Sequence, residues 1–432
     1  MSYSTDFFDI SGLALEPPAL DDFAVIERGG VTSAQGFKAC GVAGCFRPAT
    51  PDRLDLAIVA SDAPARCAGT FTKNEFYAAP VAVSREHSAQ GCAKGVVINS
   101  GTANAATGTV GMDNARRMAA IGAEALGCAT EEVLIASTGV IGRHMDMGKL
   151  EAAIRAAAPK LSADAGHDAA VAILTTDTHA KEFAVSWTTA DPAYDKATFT
   201  VGGMAKGAGM IMPNMATMIS VITTDAPLGQ TCCQQALSAA VDGSFNKVTV
   251  DGDTSTNDTC LLMANGAAAA GAPWIEPGSI AADECAAAVA YVCTTIARAM
   301  AADGEGATKL LTVHIAGAAN DAEAETAART VANSMLVKTA IFGHDANWGR
   351  IAAAIGRSGV RMRQENMDID LMGVNVLKAG LPVPFDEDDM LVRFEAPEIV
   401  IDADLGEGEG ESTIWSCDLT FDYVHINGDY RS

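Results

Sequence analysis

A mixed α/β body, with helices packed on β-sheets, is the fold class that the sequence predicts. Three observations point there. Short runs rich in β-branched residues alternate along the chain with longer stretches of helical period, as expected when both element types share one body. Hydrophobic residues make up 49% of the 432 residues and charged residues 19%, which leaves ample apolar surface to offset chain entropy. Glycines number 41 while aromatics reach only 6%, a composition that suits close approach of helix to sheet.

Taken in order, residues 1–22 read as a polar leader stopped by Pro17 and Pro18, since the residue before a proline is driven out of the helical region. From Phe23 to Val97 the runs FAVIERGG, LDLAIVASD, CAGTFT, PVAVSREH and KGVVINSG read as strands between Gly-rich turns. A helix is expected over 113–126, where Ala, Met and Ile recur on one face. EEVLIASTGVIG reads as a strand ending in a tight turn at Thr138 and Gly139. Helices follow over 147–161 and 167–173, then strands over 181–188 and 196–202. The stretch from Gly202 to Pro213 is rich in Gly, Met and Pro and reads as a loop before the strand 218–226. The second half continues with a helix at 228–241, a strand at 260–264 and a long alanine-rich helix around 279–302. A strand at 310–318, a helix at 321–337 and a helix opened by NWGRIAAAIG come next. From Asp368 the chain is mostly β, with acidic turns such as DADLGEGEGES. No linker-like segment and no solenoid period divides the chain.

Composition also excludes function classes. Asp and Glu total 54 against 29 Lys and Arg, for a net charge of −25, so phosphate backbones are repelled and no nucleic-acid partner is expected. A basic membrane-binding face is missing for the same reason. The apolar runs near 265–271 and 281–302 are broken by Pro, Asp, Glu or Arg before reaching about 18 residues, so no membrane span is expected. The acidic N-terminus has no basic region before an apolar run, which argues against a secretory or transit signal and for a cytoplasmic address. Eleven scattered cysteines without a C-x-x-C pair read as reduced, buried thiols. Seven histidines without H-E-x-x-H spacing give no support to a metal site.

The sharpest local signal is KGAGMIMPNMATMISVITTDA, residues 206–226. Gly207 and Gly209 permit unusual backbone geometry and Pro213 fixes φ upstream of small Ala216 and the hydroxyl of Thr217. A threonine hydroxyl needs a base. An N-terminal threonine carries its own, the α-amine, with a pKa of about 7.7–8.0. An internal threonine reaches that state only if the preceding peptide bond is cut, by attack of its Oγ on the Ala216 carbonyl, an N→O acyl shift and hydrolysis. Composition alone also allows a plain Gly-rich loop entering a buried strand.

Residues 206–226 resemble the self-processing site of the ornithine acetyltransferase family, also called bifunctional arginine-biosynthesis proteins or glutamate N-acetyltransferases. Its pattern is K-G-x-G-M-x-x-P-x-x-A-T-M followed by T-T-D-A. Further blocks match in the same order: NSGTANAATG (99–108), ASTGVIG (136–142), TTDTHAK (175–181), VDGDTSTNDT (250–259), GEGATK (304–309), VKTAIFGHDANWGR (337–350) and YVHINGDYRS (423–432). The similarity covers essentially the whole chain. Thr102 and Ala106 stand where the family usually has Asn and Cys.

The resemblance implies a fold like that of the self-processing aminopeptidases with an N-terminal nucleophile. It implies cleavage between Ala216 and Thr217 into an α chain (1–216) and a β chain (217–432), with Thr217 as nucleophile. The acetyl group of N-acetylornithine passes to Thr217 and then to glutamate, a ping-pong exchange in arginine biosynthesis that needs no cofactor. Acetyl-CoA is an alternative donor in some members. Thr138 and Gly139 are expected to form the oxyanion hole, and Thr175, Lys206, Thr217, Glu305, Asn427 and Ser432 to bind substrate. An α2β2 heterotetramer is expected on the same ground. Two other readings stay open: an N-terminal-threonine amidohydrolase or aminopeptidase with water as acceptor, and an uncleaved ligand-binding protein. His344, Asp345, Asn347 and Trp348 read as a structural turn into a helix, and Met204, Met210, Met212 and Met215 as pocket-filling side chains rather than metal ligands.

Overall fold

Strands from both halves of the chain interleave in one sheet. The structure is a computed structural model and describes residues 4–47, 50–212 and 218–429. The strands are β1 (Ala24–Val25), β2 (Phe37–Val42), β3 (Leu56–Phe71), β4 (Cys92–Thr102), β5 (Val133–Val140), β6 (Lys181–Thr188), β7 (Thr198–Lys206), β8 (Ile219–Thr224) and β9 (Thr259–Ala264). They lie in the order β1-β6-β7-β8-β9-β3-β4-β5, with β2 paired to β3. Both faces of this sheet are buried. Phe183, Val201, Ile222 and Leu262 join a core under the helices α5 (Gln230–Gly243) and α6 (Ile280–Ala302). Met204, Val221, Leu261 and Met263 point the other way, toward α4 (Gly166–Ala172). Burial on both faces fits the mostly apolar sequences of β8 and β9. Beyond them, α1 (Ala79–Ser88), α2 (Gly108–Leu126) and α3 (Met147–Ala157) cover β3, β4 and β5 through Met118, Ile121 and Ile154.

A second sheet comprises β10 (Leu310–Ala318), β11 (Asp368–Leu371), β12 (Val374–Lys378), β13 (Leu381–Pro382), β14 (Glu398–Asp404) and β15 (Gly410–Cys417), in the order β13-β12-β11-β14-β10-β15. Its core is closed by α7 (Asp321–Ala332), α8 (Met335–Phe342), α9 (Trp348–Gly356) and α10 (Glu387–Arg393). Leu310, Trp415 and Cys417 carry that sheet into the core around α6. The last element, α11 (Phe421–Asp429), returns the chain to the junction of the two sheets through the Thr420 hydroxyl, which donates to Gly306 O at 2.7 Å.

The mixed α/β expectation holds, with local corrections. LDLAIVASD and CAGTFT are parts of one strand, β3. PVAVSREH is helical, not extended: Pro80 sits in the first turn of α1, where no N–H is needed, and Val81, Val83, Ser84 and His87 form its buried face. Gly202 to Lys206 continues β7, so the loop begins only at Gly207. The helix expected over 321–337 is two helices, because Ser334 caps α8 by accepting from Val337 N. Asn347 caps α9 through Arg350 N, as a turn entering a helix requires. By length and composition alone α6 is apolar enough to cross a membrane. It packs instead as a core helix, with Val289, Val292, Cys293 and Ile296 fully buried.

Candidate active site

Near its end, the parallel pair β4 and β5 sets Gly101 opposite Gly139. Gly139 has φ +124°, and a Cβ there would overlap the Gly101 carbonyl carbon, so only glycine lets the two strand ends approach. The turn expected at Thr138 and Gly139 lies past Val140; both residues are still in β5, whose end presents them to a cleft. Asn257 fastens that strand end from the opposite wall: its Nδ2 donates to Ser137 O at 2.8 Å and to Ala103 O at 2.7 Å.

Lys206, the last residue of β7, lines the same cleft although the residue is only 5% exposed. No hydrogen bond or ion pair is made by its ammonium among the described residues. Burial pushes its pKa down, and the carboxylates of Asp177, Glu305 and Asp258 pull against that shift. Below it lies a buried ion cluster. Lys181 Nζ meets Asp177 Oδ1 at 2.9 Å and Asp303 Oδ2 at 2.5 Å. Burial opposes ionisation of Asp177, but the ammoniums of Lys181 and Lys206 overcome it and hold the carboxyl below the usual range. Burial likewise opposes the charge of Lys181, and its two carboxylate partners raise its pKa. Asp177 also accepts from Gly207 N at 2.6 Å and Thr175 N at 3.0 Å. The cluster thereby fixes the two backbone segments that carry Lys206 and Thr175 to the cleft.

The third wall is Glu305. Its backbone N–H donates to Ala208 O at 2.8 Å, and its carboxyl lies so close to Gly209 that a Cβ at 209 would overlap it. Asn427 on α11 donates to Glu305 Oε2 at 2.7 Å. The segment leaving Gly209 is held by Asp251, which accepts from Met210 N at 2.6 Å and Ile211 N at 2.8 Å. On the far side of residues 213–217, Met218 N donates to Asp258 Oδ1 at 2.9 Å.

Thr138, Gly139, Thr175, Lys206, Glu305 and Asn427, chosen from sequence, thus meet in one cleft of about 180 Å³ that also contains Met210, Ser255, Thr256 and Asn257. Ala216, Thr217, Met215 and Ser432 lie outside the described residues. Met204 is fully buried beneath the sheet. A larger groove of about 870 Å³ runs under the N-terminal segment, past Thr5, Phe7 and His167, and contains none of these residues. Sequence reasoning missed Asn257, Asp258 and Asp177. All three fall inside the quoted blocks VDGDTSTNDT and TTDTHAK, but nothing in a polar run tells which side chain faces the cleft and which supports it. The clustered donors, one buried cation and one carboxylate suit a small zwitterionic substrate and a tetrahedral oxyanion.

The sequence profile of the ArgJ family matches residues 38–432. The arginine biosynthesis bifunctional protein ArgJ of Symbiobacterium thermophilum is 48% identical over 404 residues, spanning 94% of this chain and 99% of that protein. The crystal structure of an arginine biosynthesis bifunctional protein ArgJ from Bacillus halodurans is 42% identical, with a TM-score of 0.45, over 48% of this chain and 97% of its own. That of the ornithine acetyltransferase of Mycobacterium tuberculosis, solved with ornithine, is 35% identical, with a TM-score of 0.40, over 44% of this chain and 98% of its own.

Proposed function

The chain belongs to the ArgJ family, and from that premise we propose that it is a self-processing acetyltransferase of arginine biosynthesis, moving acetyl from N-acetylornithine to glutamate through Thr217. The observation that carries the reading is the convergence of Thr138, Gly139, Thr175, Lys206, Glu305 and Asn427 on one cleft. In sequence, the 216–217 bond falls between the end of β7 at Lys206, which lines this cleft, and the start of β8 at Ile219.

Self-cleavage begins when Thr217 Oγ attacks the Ala216 carbonyl. The acyl group shifts from nitrogen to oxygen, and water hydrolyses the ester to give the chains 1–216 and 217–432. A cut there leaves β7 and β8 paired from Val201↔Thr224 to Lys206↔Ile219, so the two chains remain one body.

In the first half-reaction the Thr217 amine takes the Oγ proton as Oγ bonds to the acetyl carbon. Donors at Thr138 and Gly139 meet the oxyanion, and each such donor typically lowers the barrier by about 2.7–4 kcal/mol. The C–N bond then breaks, the proton passes to the departing nitrogen, and ornithine leaves. In the second half-reaction the glutamate amine attacks the acetyl ester and regenerates Thr217. Lys206 meets the substrate carboxylate and Glu305 the α-ammonium of the incoming glutamate. Thr175, Asn427 and Ser432 complete the substrate site. The exchange needs no cofactor, and acetyl-CoA can serve as alternative donor. The processed chains assemble as α2β2. A cytoplasmic address fits eleven free cysteines.

Denaturing electrophoresis is the first test: two bands of similar size are expected, and one band with no acetyl transfer for Thr217→Ala. A Thr217→Ala protein that still splits and transfers acetyl sinks the reading. The amidohydrolase alternative is separated by product: N-acetylglutamate supports transfer, whereas free acetate formed at the same rate with or without glutamate supports hydrolysis.

A further inference from the structure

Residues 4–9 cross the body with little to hold them. Ile10 is buried in the core around α6, but Ser4, Thr5, Asp6, Phe8 and Asp9 are exposed. The segment lies outside residues 38–432, the stretch that the family profile matches. Its contacts are with the chain that carries Thr175. Ser4 N donates to Thr178 O at 2.8 Å, and the Phe8 ring lies against the His179 ring with centroids 3.8 Å apart. Thr178 N donates in turn to Asp303 Oδ2 at 3.1 Å, the carboxylate that meets Lys181 in the ion cluster behind the cleft.

The remaining contact depends on a proton. His167, in the first turn of α4, meets an acceptor with each ring nitrogen: Nε2 meets Thr5 O at 2.8 Å, and Nδ1 meets Glu182 Oε1 on β6. Glu182 is 2% exposed, and a Cβ at Gly30 would overlap its other oxygen, so glycine there leaves the carboxyl just enough room. A neutral imidazole has one N–H and can serve only one of two acceptors. Its other nitrogen then points a lone pair at an oxygen. Both contacts are made only when ring and carboxyl together hold one proton more than a neutral histidine and a carboxylate. The hydrogen bond to Glu182 raises the pKa of His167, against burial and with help from the Thr5 carbonyl and the charges of Glu182 and Asp168. Asp6, Asp9, Glu27 and Arg28 line the groove around the ring, and Arg28 lies over the Phe7 ring.

We propose that residues 4–9 are a strap clamped onto the segment 175–181, and that His167 is its latch, closed while the His167–Glu182 pair holds the extra proton. Closing takes up a proton, so the strap is released as pH rises. Among the described residues, only Ser4 and Thr5 tie 4–9 to the body by hydrogen bonds. Loss of the one made to an ionised ring therefore raises the open fraction by roughly ten- to hundredfold. Release unpins Thr178 and His179 and loosens the wall that carries Thr175.

Chymotrypsin cuts after Phe7 and Phe8 only when the strap is off the body, and intact mass reads the loss of the N-terminal residues. At each pH the rate is divided by that on a free peptide of residues 1–12. Between about pH 6 and pH 9 the ratio should rise roughly ten- to hundredfold, with a midpoint above the ordinary histidine value of about 6.5. His167→Gln has no titrating ring and should show no step. Hydrogen exchange of residues 175–179, corrected for its intrinsic dependence on pH, should quicken with the same midpoint in the wild-type chain and not in the variant. A flat cleavage ratio in the wild-type chain, a step that persists in His167→Gln, or exchange at 175–179 that ignores the step overturns the proposal. Should His167→Gln fail to fold, Glu182→Gln keeps the ring and removes the anion beside it. The midpoint must then fall by about one pH unit or more, and a midpoint that stays in place overturns the latch. Neither readout involves turnover, so the proposed acetyl transfer can fail without touching the strap, and the strap can fail without touching acetyl transfer.

Discussion

Replacing Lys206 by methionine separates binding from stability in a single experiment. The ammonium is almost wholly out of water, opens only to the cleft and makes no hydrogen bond within the described chain. Its charge is therefore free for a ligand. A hydrogen bond to an ionised partner is worth about 1.5–3 kcal/mol, so losing one to a substrate carboxylate lowers kcat/KM by roughly ten- to hundredfold. Both half-reactions should suffer, because N-acetylornithine and glutamate both carry an α-carboxylate. Stability should not follow activity. Methionine fills nearly the same volume and removes the cost of burying an ammonium. Asp177 keeps Lys181 at 2.9 Å and the N–H groups of Thr175 and Gly207. The expected Tm is thus within a few degrees of wild type. The assay is steady-state transfer with N-acetylornithine and with its carboxamide. Wild type should favour the acid by the factor that the variant loses, and the variant should not discriminate. Undiminished discrimination in Lys206→Met, or a collapse of Tm with kcat/KM intact, refutes the assignment of this charge to the substrate.

Two further outcomes are expected. In Gly209→Ala the new methyl group overlaps the Glu305 carboxyl, so kcat/KM should fall about tenfold or more while Tm, read by calorimetry, drops only a few degrees; a fully active variant would show that Glu305 need not sit there. Asp225 is raised from 3.8 to about 6, chiefly by burial, against the N–H groups of Gln35 and Thr200. A raised folded value means that its contribution to stability is complete below the unfolded pKa and is lost as pH rises through the folded one. The unfolding free energy of wild type minus that of Asp225→Asn, from urea titrations, should therefore fall by about 2 kcal/mol between pH 4 and pH 7, and a flat difference contradicts this.

How far the sequence could be read differs by element, for physical reasons. Runs whose period matched their environment were legible. β8 and β9 are buried on both faces and read as mostly apolar stretches, and α6 carries a long alanine-rich pattern into the core. Segments that failed did so where one local signal served two structures. PVAVSREH is β-branched enough for a strand, but Pro80 opens a helix. Gly202 and Gly203 look like loop residues, yet they let β7 pass close to its neighbours, since a Cβ at 202 would overlap Gly30 O.

The amino-acid sequence by itself determined the family and picked out six residues that line the cleft, because those depend on residue identities in fixed local order. What only the tertiary structure decided is which polar residues support them. Asp177 and Lys181 share a block with Thr175, and Asp303 lies two residues before Glu305, but their pairing is a contact across 122 positions. Asn257 reaches Ser137 across 120, and Asp258 faces Met218 only because β8 and β9 run in parallel register. Such contacts leave no periodicity in the chain. They exist because strands distant in sequence are brought side by side, and burial there then sets the charge of each group.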